Sequence, residues 1–103
     1  MANEVVISER ALPSSVSKQG NPKSPYGERV TTQVIDAGSK SAALDNATEA
    51  VLITANGADI WYKIGGSSVS AAANTAGNEF LAADQSRLEI VTAGQYIDTA
   101  ANS

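Results

Sequence analysis

The side chains of this 103-residue chain that could do chemistry are carboxylates, lysines, arginines and hydroxyls, because it holds no histidine and no cysteine. The commonest general base and the commonest metal ligand are therefore missing. Disulfides and thiolate metal sites are excluded, and cysteine usage gives no reading of redox compartment. What remains is thin. Ser15 and Lys18 match an S-x-x-K pattern, but that chemistry needs a helix start inside a large domain and separate partner motifs. Here the pair lies between Pro13 and Pro22. Asp45, Glu49 and Asp59 could serve calcium together with backbone carbonyls, yet no twelve-residue loop spacing accompanies them, and they read as solvated turn acids. Asn46-Ala47-Thr48 is a glycosylation sequon that matters only in a secreted chain. The run GADIWYKIGG has misplaced glycines for a dinucleotide fingerprint, and no Walker A pattern occurs. The expectation is a protein that is not an enzyme and has no cofactor and no metal.

Charge narrows the partners. The net charge is −4 and unevenly spread. Arg10, Lys18, Lys23 and Arg29 stand near the N-terminus against Glu4, Glu9 and Glu28, while only Lys40, Lys63 and Arg87 offset the acids of the rest. An acidic body is a poor match for nucleic acid, whose affinity comes largely from phosphate contacts. No apolar run approaches the roughly 20 residues of a membrane span, and MANEVVISER lacks the basic start and apolar stretch of a signal peptide. No nucleic acid and no membrane are expected as partners, and synthesis in a cytoplasm is.

The elements that must position any site fall into two regions. Residues 1–29 hold all three prolines, Pro13, Pro22 and Pro25, and many serines. Proline fixes φ and lacks an amide donor, so this stretch should be extended or irregular. One reading is a disordered leader. The other is an extended N-terminal arm that orders on a neighbouring subunit, with Val5, Val6 and Ile7 adding a strand to a sheet edge and Leu12 and Tyr26 as anchors.

Residues 30–103 alternate short β-type runs with turn residues. RVTTQVIDAG, EAVLITANG, ADIWYKIGG, NEFLAA, SRLEIVTA and QYIDTAA are strand candidates, and SSVSAAA a weaker one. Asn56-Gly57 is a hairpin signal between the second and third, because both central positions of a type I′ turn need positive φ. SKSAALDNATEA reads as a loop or an edge strand. Turns every 8–12 residues or so point to an all-β fold, a small antiparallel β-sandwich or barrel. In SRLEIVTA, Arg87 and Glu89 read as the solvent face and Leu88 and Ile90 as the core face.

On ADIWYKIGG, Ile60, Tyr62 and Ile64 share one face opposite Val51 and Ile53, which leaves Trp61 and Lys63 pointing outward. Trp61 either covers an open end of the sandwich or sits under the arm, or it anchors an interface. Tyr96 is the second interface candidate of the domain. A domain of residues 30–103, rich in Ala, Ser and Thr, with one Phe and one Trp, would bury little area. It should borrow burial from other chains, so a homo-oligomer or an assembly component is expected.

One resemblance fits this outline. VLITANGADIWYKIGGSSVSA followed by FLAADQSRLEIVTAGQYI resembles short tailed-bacteriophage virion proteins, in the strand ending at I-G-G, the small-residue S-V-S-A, and F-L-A-A leading to L-E-I-V. It covers residues 48–98. The resemblance implies consecutive strands of a β-sandwich and a virion location. It implies a structural role as a capsid cement or decoration protein whose partners are the major capsid protein or other virion proteins. A small neck or tail adaptor is the alternative within that group. A carbohydrate- or surface-binding module, with Trp61 and Tyr96 as stacking platforms, is the alternative outside it.

Overall fold

The structure is a computed structural model and describes residues 3–11 and 28–101. Seven strands make two antiparallel sheets: β1 (Glu4–Ala11), β2 (Glu28–Asp36), β3 (Ala50–Asn56), β4 (Ile60–Gly65), β5 (Glu79–Leu81), β6 (Ser86–Ile90) and β7 (Tyr96–Ala101). The first sheet runs β2-β1-β3-β6 and the second β5-β4-β7. The all-β class is as expected. No helix occurs among the described residues.

The N-terminal arm is where the outline changes. Residues 4–11 lie inside the first sheet, flanked by β2 and β3. Val5 and Ile7 are fully buried in this chain's own core beside Val51, Ile53, Ile60, Tyr62 and Ile97. The physical reason is the alternation of EVVISER, which gives β1 one apolar face that only an interior position buries. The core therefore draws on the segment assigned to an arm, and the domain is not confined to residues 30–103. Val6, between those two residues, faces the other side and is half-buried. Leu12 and Tyr26, the proposed anchors, lie outside the described residues.

Asn56-Gly57 is a turn, with Gly57 at φ 94°, but not a hairpin. β3 and β4 belong to different sheets. Val51, Ile53 and Ala55 face Ile60, Tyr62 and Ile64 across the interior instead of lying beside them, which buries both apolar faces. A second crossing, from β5 to β6, is tied to the first. Asp84 N donates to Ala55 O (2.6 Å), Ala55 N to Gln85 O (3.0 Å) and Gly57 N to Asp84 Oδ1 (3.2 Å). Asp59 Oδ1 accepts from Ala83 N at 2.8 Å. Asp84 itself sits at φ 63°, a conformation Asp tolerates better than most residues.

The weak strand candidate SSVSAAA is not a strand. Gly66 to Asn78 is a connection of turns between β4 and β5. The loop after β2 behaves as expected in being irregular, yet it has a structural task. Ser41 N donates to Ile97 O (2.8 Å), Leu44 N to Gln95 O (2.9 Å) and Thr99 N to Ser39 O (3.1 Å). Residues 39–44 thus cover the outer edge of β7, and Leu44 enters the core.

Candidate functional site

Two polar clusters close the two flanks of the sandwich. On the flank of β1 and β2, Glu9 continues the inward face begun by Val5 and Ile7 and is 1% exposed. Its carboxylate accepts from Thr48 Oγ1 (2.8 Å), Asp45 N (2.8 Å) and Gln33 Nε2 (2.9 Å). The Gln33 amide also accepts from Ala42 N at 2.9 Å, so it joins β2 to the loop covering β7. Three donors on one carboxylate answer the desolvation that burial imposes. Thr48 of the sequon is itself buried and committed to Glu9. Asp45 Oδ1 accepts from Ala47 N at 2.9 Å. Asp45 and Asp59 therefore act as turn-forming hydrogen-bond acceptors, and no group of three or more metal-ligating side chains occurs among the described residues.

On the opposite flank, β6 is inverted relative to its reading as an amphipathic strand. The register sets Glu89 opposite Val51 and Arg87 opposite Ile53, and directly paired residues share a face. Arg87 and Glu89 therefore lie on the inner side, and Leu88 and Ile90 point outward at 38% and 68% exposure. The cause is Tyr62. Its hydroxyl donates to Glu89 Oε2 and accepts from Arg87 Nη1 at 3.3 Å. Arg87 continues to Phe80 O at 2.9 Å and to Glu79 at 3.6 Å. A buried tyrosine needs a partner for its hydroxyl, and β6 supplies two by turning its charged face inward. Burial, then the bond to Glu89, pushes the Tyr62 hydroxyl well above the ordinary phenol range. The bond to Tyr62 raises the Arg87 guanidinium further. Both groups are locked in their usual charge states, the opposite of an activated nucleophile or base.

Next to this cluster, where the three-residue β5 stops, a cleft of about 380 Å³ opens between the sheets, bordered by Ile64, Glu79, Glu89, Ile90 and Gln95. Its floor is the committed Tyr62.

The inversion of β6 has a consequence for the outer face of the first sheet. Leu52 pairs with Leu88 and Ala50 with Ile90, and Val6 pairs with Val34. Val34 is 56% exposed, and Val6 and Leu52 are half-buried. An apolar diagonal crosses all four strands on the side away from the core. Sandwich strands ordinarily alternate inward apolar with outward polar residues.

On the second sheet Trp61 and Lys63 point outward, as the alternation of β4 requires. Trp61 is half-buried against Phe80, edge to face with centroids 5.2 Å apart. Tyr96 is half-buried and pairs with Gly65, four positions, roughly 13 Å of strand, from Trp61. The fold does not bring the two into one platform. Sequence reasoning missed Glu9, Tyr62 and Glu89 as a set. The signal for Glu9 was present, since a two-residue period from Val5 and Ile7 reaches it. No known protein family, curated protein or solved structure matches the chain.

Proposed function

We propose that the protein is a structural binding subunit and not an enzyme: a capsid cement or decoration protein of a tailed-phage virion, docking on the major capsid protein through the outer face of its first sheet. The observation that carries this reading is the outward apolar diagonal of Val34, Val6, Leu52, Leu88 and Ile90. An outward apolar face of this kind marks a surface that another polypeptide covers. The resemblance of residues 48–98 to virion proteins supplies the kind of partner. Binding of this sort stabilises a shell by mass action, because the ligand favours the assembled state alone.

The reading differs from the arm-based one in where contact is made. Val5 and Ile7 are spent on the core, so the sheet face takes over the role given to them. The test is co-expression with a major capsid protein encoded in the same genome, followed by sedimentation of the particles. The wild-type chain is expected to co-sediment and a Leu88→Ser/Ile90→Ser double variant to stay in the supernatant. Equal co-sedimentation of both, or of neither, would sink the proposal. A glycan array gives the competing outcome: saturable sugar binding lost in Trp61→Ala would place the protein among carbohydrate-binding modules.

A further inference from the structure

The four sheet edges differ in how far they are covered among the described residues. β2 ends the first sheet, and the other three sheet edges are each short or tied down. β5 has three residues, β6 is five residues long and held by Arg87, and β7 is covered by residues 39–44. β2 has nine residues and no strand on its outer side among the described residues. Its residues 30–35, VTTQVI, contain no charge and no proline. Exposed edges are normally blunted by such residues because they template pairing with another chain.

The charges at the two ends of β2 are arranged with a definite symmetry. Against β1, Arg29 pairs with Arg10 and Asp36 with Glu4. These are two like-charge pairs, directly opposite, an unfavourable arrangement within one sheet. Both lie on the outer face, and Arg29 and Asp36 are exposed. Arg29 reaches that face only through the bulge near Arg10, where the register passes from Glu9↔Thr31 to Arg10↔Arg29 and skips Val30. Strict alternation would have put Arg29 on the inner side with Thr31 and Gln33. In units of the β1 register, Asp36 and Arg29 stand three steps either side of Gln33, which pairs with Ile7.

We propose that two copies of the chain pair antiparallel through the outer edges of β2, about a two-fold axis at Gln33. An isologous contact must be self-complementary, and this register is. It sets Asp36 opposite the partner's Arg29 and Arg29 opposite the partner's Asp36. Ile35 meets the partner's Thr31, and Val34 the partner's Thr32. Each end of the joint then reads Arg10, Arg29, Asp36, Glu4 across four neighbouring strands, with the last two from the partner, so Arg29 faces Asp36 at both ends. A shift of the axis to Thr32 or Val34 pairs neither charge. The product is an eight-stranded sheet with both apolar diagonals on one side. The pairing does not depend on what that side binds.

The charge swaps Arg29→Glu and Asp36→Arg test the register in the full chain, by sedimentation equilibrium at low salt. Each alone sets like charges across the joint and is expected to weaken dimerisation at least tenfold. Within the monomer, each sets an opposite charge against β1, facing Arg10 or Glu4, so thermal stability is expected to hold or rise. The double swap restores opposite charges across the joint and should restore the dimer. The chain has no cysteine of its own. An equimolar mixture of Thr32→Cys and Val34→Cys chains should therefore form a disulfide-linked dimer on mild oxidation, and either variant alone should give far less. A chain monomeric at millimolar concentration would overturn the proposal. So would an oligomer indifferent to the single swaps, or one whose double swap fails to recover. Loss of shell binding by a dimer that obeys the swaps would count against the proposed function alone.

Discussion

The two flanks of the sandwich solve the same problem with opposite strand geometry. On the Glu9 flank, β1 keeps the ordinary pattern, and one carboxylate ends a buried apolar row, held by three donors from other parts of the chain. On the Tyr62 flank, a buried hydroxyl sits on β4 and the charges come to it, so β6 turns over and carries Leu88 and Ile90 outward. A polar group placed at the end of a buried face can be met by loops or by a neighbouring strand. When a strand meets it, the strand's other face becomes apolar surface. The difference explains why the first sheet carries charged groups at both flanks of its inner side and an apolar diagonal on its outer one.

Removing the Glu9 carboxylate should have the largest effect. Glu9→Ala strands the Thr48 hydroxyl, the Asp45 amide and the Gln33 side chain and should cost about 3 kcal/mol in urea unfolding. A loss under about 1 kcal/mol would mean the flank is wetter than its burial implies. Glu89→Ala should cost less, about 1.5 kcal/mol, because Arg87 still reaches the Tyr62 hydroxyl and the site borders an open cleft. Equal losses at Glu9 and Glu89 would erase the contrast between the flanks.

Alkaline titration separates them again. The Tyr62 hydroxyl is raised in the folded state above its ordinary value of 10.0. Below that value the tyrosine is protonated in both states and its contribution is intact. As pH rises past it, the unfolded chain releases a proton that the folded chain retains, so stability falls with rising pH. Above pH 10 the wild type should therefore lose about 1 kcal/mol per pH unit more than Tyr62→Phe. Parallel curves for the two proteins would remove Tyr62 from its buried role. Ile90→Ser should be the mildest, changing the stability of the isolated chain by less than about 0.5 kcal/mol. A large loss there would mean Ile90 is covered within the chain, and the inversion of β6 would need another explanation.

The strands were legible because alternation is. EAVLITAN, IWYKIG and YIDTAA each bury the set their period predicts, and Trp61 points outward for that reason. The class of fold follows from turns at short intervals. Three features were not legible, and each depends on a partner distant in the chain. The proline-rich run after EVVISER suggests an arm, but the place of β1 is decided by β2 and β3 on either side. Asn56-Gly57 specifies a turn with positive φ, and nothing local says whether the next strand pairs or crosses. Arg87 and Glu89 read as solvent residues until Tyr62, more than twenty positions earlier, is known to need them. The outer apolar face was hidden by the same inversion, and the charge symmetry of β2 by a single bulged residue.

The position of β1 bears on how the chain comes to be made. Its first strand is a central one, and the neighbour on one side, β3, begins at Ala50, while the opposing wall includes Ile97 on β7. Val5 and Ile7 stay without a closed interior until the segment holding Ile97 has been synthesised. Pairings so distant along the chain are slow to form. The nascent chain thus carries β1 unsheltered while β2 to β7 are made, a period in which chaperones or early contact with sister chains would decide the yield.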